Sequence, residues 1–315
     1  MESSRLRQIK MRHLSAFTEV VRLGSLKSAA ERLFVTQSSI SKTLKDLETI
    51  LDVSLLRRDR GGVELTREGA VFQQFSEQSL AAVSHGLASL DALTDGAAAP
   101  LRIGALPSVA ADLLPDVILS FSKLSPASRV TVEDGRISTL VERLRSAELD
   151  FVIGRMGRPE TMNGLSFRQL YSEQVVFAVR PDHPLAKCSD PSALSDFTVL
   201  YPPKGAAIRP LVDRFMIAHG IGELPSRLET VSGAFGRAMT LGEGRAVWII
   251  SQGVIAGDIA GGHMAVLPID TSEMAGPVGV MTRAEENPAP QMRLFLQALL
   301  ERLAIEQAAG NGQKL

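Results

Sequence analysis

Gln37, Ser38, Ser41, Lys42 and Lys45 are spaced i, i+1, i+4, i+5 and i+8, which gathers them on one side of an α-helix. Ile40, Leu44 and Leu47 fall on another side. A helix whose first turn enters the major groove can pair Gln with adenine and Ser with several base edges. Lysines and the free N–H groups of the helix start meet phosphate. Thr36 and Ser39 add two hydroxyls at the same end. Hydroxyl residues are weak helix formers, but their short side chains let a backbone come close to another surface. A solvated helix face is the other reading. It explains the polarity but not hydroxyls standing where Glu or Lys would serve.

The elements around that helix must hold it outward. Leu14, Phe17, Val20 and Val21 recur at helical spacing, Gly24–Ser25 breaks the run, and Ser25 can cap a helix that turns Ala29, Ala30 and Leu33 inward. Thr36 can cap the next, with Ile40, Leu44, Leu47 and Leu51 as its apolar stripe. "SLLRRDRGGVELTREG" reads as a hairpin with strands at Leu55/Leu56 and Val63/Leu65 and Gly61–Gly62 at the tip. Arg57, Arg58 and Arg60 beside the tip suit a wing that lays arginines on the DNA backbone or in the minor groove, or else serve solubility. Charge follows the same division. Residues 1–70 hold 13 Lys/Arg against 9 Asp/Glu, and the rest 21 against 26, so a basic head precedes an acidic body.

Thr66 can cap a long helix reaching about Leu93, with Phe72, Phe75, Leu80, Val83, Leu87, Leu90 and Leu93 mostly three or four apart. That helix either packs on its own domain or pairs with a second chain as a coiled coil; its length and its place between domains favour the second. "TDGAAAP" ends it as a small-residue linker. Beyond Leu101, β-rich runs such as "LRIGAL", "LDFVIGR" and "QVVFAVR" alternate with helical stretches, which argues for α/β units around mostly parallel sheets in two similar lobes facing a cleft.

The bulk properties exclude much else. Hydrophobic content of 45% and charged content of 22% describe an ordinary globular chain, and no apolar run approaches the roughly 20 residues of a membrane span. "MESSRLRQIK" lacks the apolar segment of a signal peptide, and the single Cys188 leaves no internal disulfide, which together suit a reducing cytoplasm. His13, His85, His183, His219 and His263 show no metal-ligand spacing, and Cys188 has no evident His partner. No G-x-S-x-G elbow or phosphate-binding glycine loop occurs. An enzyme is not expected, nor a cofactor, a metal or a membrane.

The stretch "RHLSAFTEVVRLGSLKSAAERLFVTQSSISKTLKDLETILDVSLLRR" closely resembles the N-terminal domain of LysR-type transcriptional regulators. Ala29–Ala30, Leu33, Gln37, Ser41, Leu47–Glu48, Leu55–Leu56 and "LTREG" carry the likeness. Two positions depart from it: many members have Pro where Ser38 stands and an acid where Arg57 stands. The resemblance implies an all-α winged helix-turn-helix head at 9–66, with the motif at about 26–45, and a dimerising linker helix at 67–97. It further implies an α/β two-lobed domain at 98–308, like periplasmic binding proteins. Promoter DNA, a small effector and RNA polymerase are the implied partners of a cytoplasmic homodimer or homotetramer. The DNA candidates are Thr36, Gln37, Ser38, Ser39, Ser41, Lys42, Lys45, Arg58 and Arg60.

A cleft regulator needs polar groups at the hinge between lobes. Ser108 opens a helix after the first strand, where it can hold an anion or act as a plain N-cap; the family's effector contacts include this position. Arg136 and Ser138 follow the second strand in a comparable place. Arg155 ends "LDFVIGR", near where the chain should first cross between lobes; it can clamp a carboxylate or pair with a lobe acid such as Glu229. The turn "YPPKGAAIRP" resembles one lining the family's cleft and offers Lys204 and Ala206, and "ETVSGAF" offers Ser232 and Phe235. Trp248 is either core or pocket. Within the family, "LYSEQVVFAVRPDHPL", "ETVSGAFGRAM", "VWIISQGVIAGDIAGG" and "GPVGVMTR" resemble regulators of protocatechuate (pca) operons. That implies activation of aromatic catabolism through the β-ketoadipate route by a ring-cleavage carboxylate such as β-carboxymuconate. Ser108, Arg136, Arg155 and Lys204 would suit its several charges. Regulators of sugar-uptake genes share parts of these segments, and a repressor that ignores small molecules is the remaining alternative.

Overall fold

The computed structural model describes residues 2–59, 62–94, 98–157, 161–243, 245–284 and 288–311. Arg60 and Gly61 lie outside them, and the side chain of Arg58 is likewise not described. Contacts divide the chain into two units, Met1–Thr94 with Arg145–Glu148, and Asp95–Leu144 with Leu149–Leu315.

The first unit runs α1 (Glu2–Gln8), α2 (Met11–Leu23), α3 (Leu26–Arg32), α4 (Gln37–Leu51), β1 (Leu56–Asp59), β2 (Gly62–Leu65) and α5 (Arg67–Thr94). Gly24 ends α2 in the left-handed conformation, which frees Ser25 to cap α3; its hydroxyl accepts the Ser28 N–H at 3.3 Å. Phe17, Val20, Ala29, Ile40, Leu44 and Leu47 are buried together, and the small Ala29 and Ala30 let three helices meet closely. Leu55, expected in the first strand, is a buried anchor just before it. The Glu48 carboxylate fixes that corner by accepting the N–H groups of Leu55 (2.7 Å) and Leu56 (3.2 Å). Gly62, expected at the tip, is paired with Asp59 inside the ladder.

Thr66 caps α5, accepting the Gly69 N–H at 2.9 Å. Near its start α5 packs on its own unit, the Phe72 ring lying 5.6 Å from Phe17. Further along, Val83, Leu87 and Leu90 are exposed, as are Val71 and Phe75 near the start. An apolar stripe of that kind is not explained by its own unit.

The second unit holds two five-stranded sheets. The first lobe has the order β4-β3-β5-β12-β6, built from β3 (Ala98–Ala105), β4 (Ser128–Asp134), β5 (Phe151–Arg155), β6 (Leu165–Glu173) and β12 (Gly276–Arg283). The second has the order β11-β7-β10-β8-β9, from β7 (Val175–Val179), β8 (Val199–Tyr201), β9 (Arg227–Glu229), β10 (Val247–Ser251) and β11 (Ala265–Val266). The sheets are mixed rather than mostly parallel. Three strands of each run parallel, while β12 and β6 in one, and β7 and β11 in the other, run antiparallel to their neighbours. The antiparallel strands belong to the crossings: the chain leaves the first lobe between Glu173 and Val175 and returns at Gly276. Phe121, Phe151 and Phe295 stack in the first core, and Phe177 against Phe215 in the second.

Candidate DNA-reading face and effector cavity

The turn into α4 is tightly built. The Val35 N–H returns to the Ala30 carbonyl at 3.0 Å, which holds Phe34 in the left-handed region at φ 55° with 93% of its surface exposed. Thr36 then caps α4, accepting the Ser39 N–H at 3.2 Å. Its hydroxyl also meets those of Ser38 (3.0 Å) and Ser39 (2.8 Å). Three of the hydroxyls that suggested base reading are therefore also tied to one another at the cap.

Thr36, Gln37, Ser38, Ser39, Lys42 and Lys45 are exposed, and Ser41 is half-buried. The first turn of α4 contains no acid, so its free N–H groups and the two lysines present an unopposed positive end to an anion. In the wing, Arg57 stands opposite Glu64 in the strand register. Phe34 was not singled out from the sequence; its signal is an apolar residue directly between a helix end and the next N-cap.

In the second unit a cavity of about 230 Å³ lies between the lobes. It opens where the carboxyl ends of the parallel strands β3, β4, β8, β9 and β10 converge, the place where open α/β sheets bind ligands. From the first lobe come Leu106, Pro107, Ser108, Asp134, Arg136 and Ile137. From the second come Ala206, Thr230, Val231, Trp248, Ser251 and Val254, among others. Trp248 is core and pocket at once: only 3% exposed, it lines the cavity with the indole against Gly236, where any Cβ would overlap the ring.

Of the sequence candidates, Ser108, Arg136, Ala206 and Trp248 meet at this cavity. Ser138, Lys204, Ser232 and Phe235 do not line it. All four are exposed, and the Ser232 hydroxyl caps its own helix α10 (Gly233–Leu241) by accepting the Phe235 N–H at 3.2 Å.

Arg155 also stands apart from the lining. It is 5% exposed, and its Nη2 donates to Glu173 Oε2 at 3.2 Å, to the Glu173 carbonyl at 3.0 Å and, at 3.5 Å, to Ser251 Oγ. Glu229, the partner considered from the sequence, instead holds Arg209 at 3.1 Å and Arg227. The chain crosses at Gln174 rather than after Arg155, but the Arg155 side chain reaches that crossing through Glu173.

Glu173 thus forms the hinge. Ser108, Arg155, Ser251 and the Gly253 N–H all donate to its carboxylate. Burial lifts that carboxyl above the usual range, and Arg155 is the main opposing influence. Gly276 leaves room for the guanidinium, since a Cβ there would collide with Nη1. Glu173 was missed from the sequence, although a lone acid between the β runs of "LYSEQVVFAV" could have marked it. Asp134 and Thr230 were also missed.

A family model described as the LysR substrate binding domain matches residues 94–304, and one for bacterial regulatory helix-turn-helix proteins of the lysR family matches residues 11–70. The chain is 41% identical over 296 residues to the HTH-type transcriptional regulator PcaQ of Agrobacterium fabrum, covering 93% of this chain and 95% of that one. It is 31% identical over 294 residues to the uncharacterized HTH-type transcriptional regulator YdcI of Escherichia coli, with the same coverage. Among solved structures, full-length CbnR complexed with its target DNA matches with a TM-score of 0.59 at 22% identity, over 93% of this chain and 100% of that one.

Proposed function

This chain is a transcriptional regulator of the LysR family, and from that premise we propose that it reads promoter DNA through α4 and controls genes of protocatechuate and related aromatic-acid catabolism in response to a carboxylate in the inter-lobe cavity. The exposed, acid-free start of α4, which presents Gln37 together with Lys42 and Lys45, carries the reading. Gln37 reads a base edge, with Ser38 and Ser41 beside it. Thr36, Ser39, Lys42 and Lys45 position the helix on phosphate, and the wing arginines Arg58 and Arg60 track the backbone. Residues 9–66 are the DNA-binding domain, 67–97 the dimerisation helix and 98–308 the effector domain.

Identity of 41% to PcaQ over nearly the whole chain supports the pathway. The exposed stripe of Val71, Phe75, Val83, Leu87 and Leu90 supports a homodimer or homotetramer, because that much contiguous apolar surface needs a partner helix. No described helix is long and apolar enough to cross a membrane, and the regulator acts in the cytoplasm, where promoter and RNA polymerase are found.

The test is a gel shift on the intergenic fragment upstream of the regulated operon, titrated with salt and repeated with aromatic-pathway acids. Selective, salt-dependent retention that an acid alters supports the reading. Equal retention of promoter and random DNA refutes it.

A further inference from the structure

The inter-lobe cavity carries more information than its place in the fold, namely which of its walls donate and which accept. Ser108 and Ser251 both line it, and both turn their hydroxyl protons away to Glu173. Toward the cavity they have only lone pairs to offer. Asp134 adds an acceptor-only carboxylate. Arg136 is the single cation among the lining residues, and neither it nor Asp134 forms an ion pair among the described residues. The remaining walls are mostly carbon: Leu106, Ile137, Val231, Trp248, Ile250 and Val254.

We infer that this cavity takes a single-ring acid bearing one carboxylate and at least one hydroxyl, the carboxylate at Arg136 and the ligand hydroxyl donated to Asp134 or to Ser108. The inference rests on the reading of the cavity as the effector site and narrows its ligand. A triply charged ring-cleavage product would bring three carboxylates to one guanidinium. The others would face Asp134 and two serines with no proton to give, and unpaired buried charge is strongly unfavourable. Arg155, expected to be a second cation for such a ligand, is already committed to Glu173. A hydroxyl on the ring reverses the problem, since it supplies the donor that these acceptors lack. Size agrees. About 230 Å³ lies below the roughly 300–1,000 Å³ of pockets built for larger ligands, and the indole of Trp248 offers a face to an aromatic ring.

Trp248 is the only tryptophan in the chain, so intrinsic fluorescence reports this cavity directly. The full-length protein is titrated with benzoate, 4-hydroxybenzoate, 3,4-dihydroxybenzoate and 1,2,4-benzenetricarboxylate, with calorimetry as the independent readout. The hydroxylated monoacids should bind about tenfold tighter than benzoate, one good hydrogen bond to a charged group being worth that much. The triacid should bind weakest. Arg136→Gln should weaken every monoacid by about tenfold or more, and Asp134→Ala should erase the hydroxyl advantage while leaving benzoate unchanged.

Tightest binding by the triacid, no advantage from a hydroxyl, or silence from all four acids would overturn the inference. The same preparations are tested on the promoter fragment. A protein that shifts DNA and responds only to a polyacid refutes the ligand class and leaves the regulator reading standing. One that binds a hydroxybenzoate but ignores DNA refutes the regulator reading and keeps the ligand class.

Discussion

Helix α4 and the inter-lobe cavity organise their candidate chemistry in opposite ways. The α4 face is one continuous run, Thr36 to Lys45, in which helical periodicity alone puts Gln37, Lys42 and Lys45 outside and Ile40 and Leu44 inside. The cavity is assembled from loops after five strands in two lobes, and its hydrogen-bond character is decided by Glu173, which lies at the hinge behind it. A face made by local periodicity tolerates change one residue at a time. A site made by convergence depends on groups that never touch the ligand.

That contrast is open to test, and the largest effect should come from the hinge. Arg155→Ala leaves Glu173 as a buried carboxylate without its counter-charge, and the second unit should lose about 3–5 kcal/mol in urea unfolding. The pair Arg155→Met with Glu173→Leu should recover much of that loss. A wild-type unfolding curve for Arg155→Ala would mean that the hinge pair contributes little.

On the DNA side the expected costs are smaller and functional. Gln37→Ala should leave the unfolding curve unchanged yet reduce discrimination between operator and random DNA by about 1–3 kcal/mol. Unaltered discrimination would remove Gln37 from base readout. Thr36→Ala removes the hydroxyl that caps α4, and about 1 kcal/mol of stability in the first unit should go with it.

Phe34→Gly should act in the other direction. It relieves a side chain held at φ 55° while giving up almost no burial, so the first unit should gain up to about 1 kcal/mol, read as a higher Tm.

Acidification is the mildest probe, and it reaches both regions. His13 and His183 are buried, and burial is the main influence lowering both below the ordinary 6.5. In each ring Nδ1 accepts a backbone N–H, from Lys10 at 3.2 Å and from Leu185 at 3.0 Å. A depressed folded-state pKa means that the neutral ring is favoured by folding. The stability it contributes is present above 6.5 and is lost as pH falls through the lowered folded values. Thermal melts should therefore soften from neutral pH toward pH 5, and His183→Gln should flatten the part that belongs to the second unit.

The same contrast explains what could be read in advance. The helices of the first unit, their caps at Ser25, Thr36 and Thr66 and the buried stripe of α4 follow from short-range spacing and cap chemistry, and they are found as expected. Ser108, Arg136 and Trp248 could be placed near a cleft because each ends a strand or opens the helix after one. Arg155 could be placed at the crossing but not paired, because its partner lies 18 positions away across a strand whose return through the same sheet has no local signature. The antiparallel strands were missed for the same reason: a crossing strand and a parallel one carry the same apolar run. Which way a serine hydroxyl points is set by a tertiary contact, and no spacing rule reports it.

The most direct measurement is selection of duplexes from a random pool by the full-length protein, repeated with Gln37→Ala and with Lys42→Gln. Wild type should enrich a defined sequence. Gln37→Ala should relax one position of it at unchanged salt dependence, and Lys42→Gln should weaken all sequences alike and flatten the salt slope. A pool that emerges unenriched from the wild-type protein would contradict α4 as a reader of DNA.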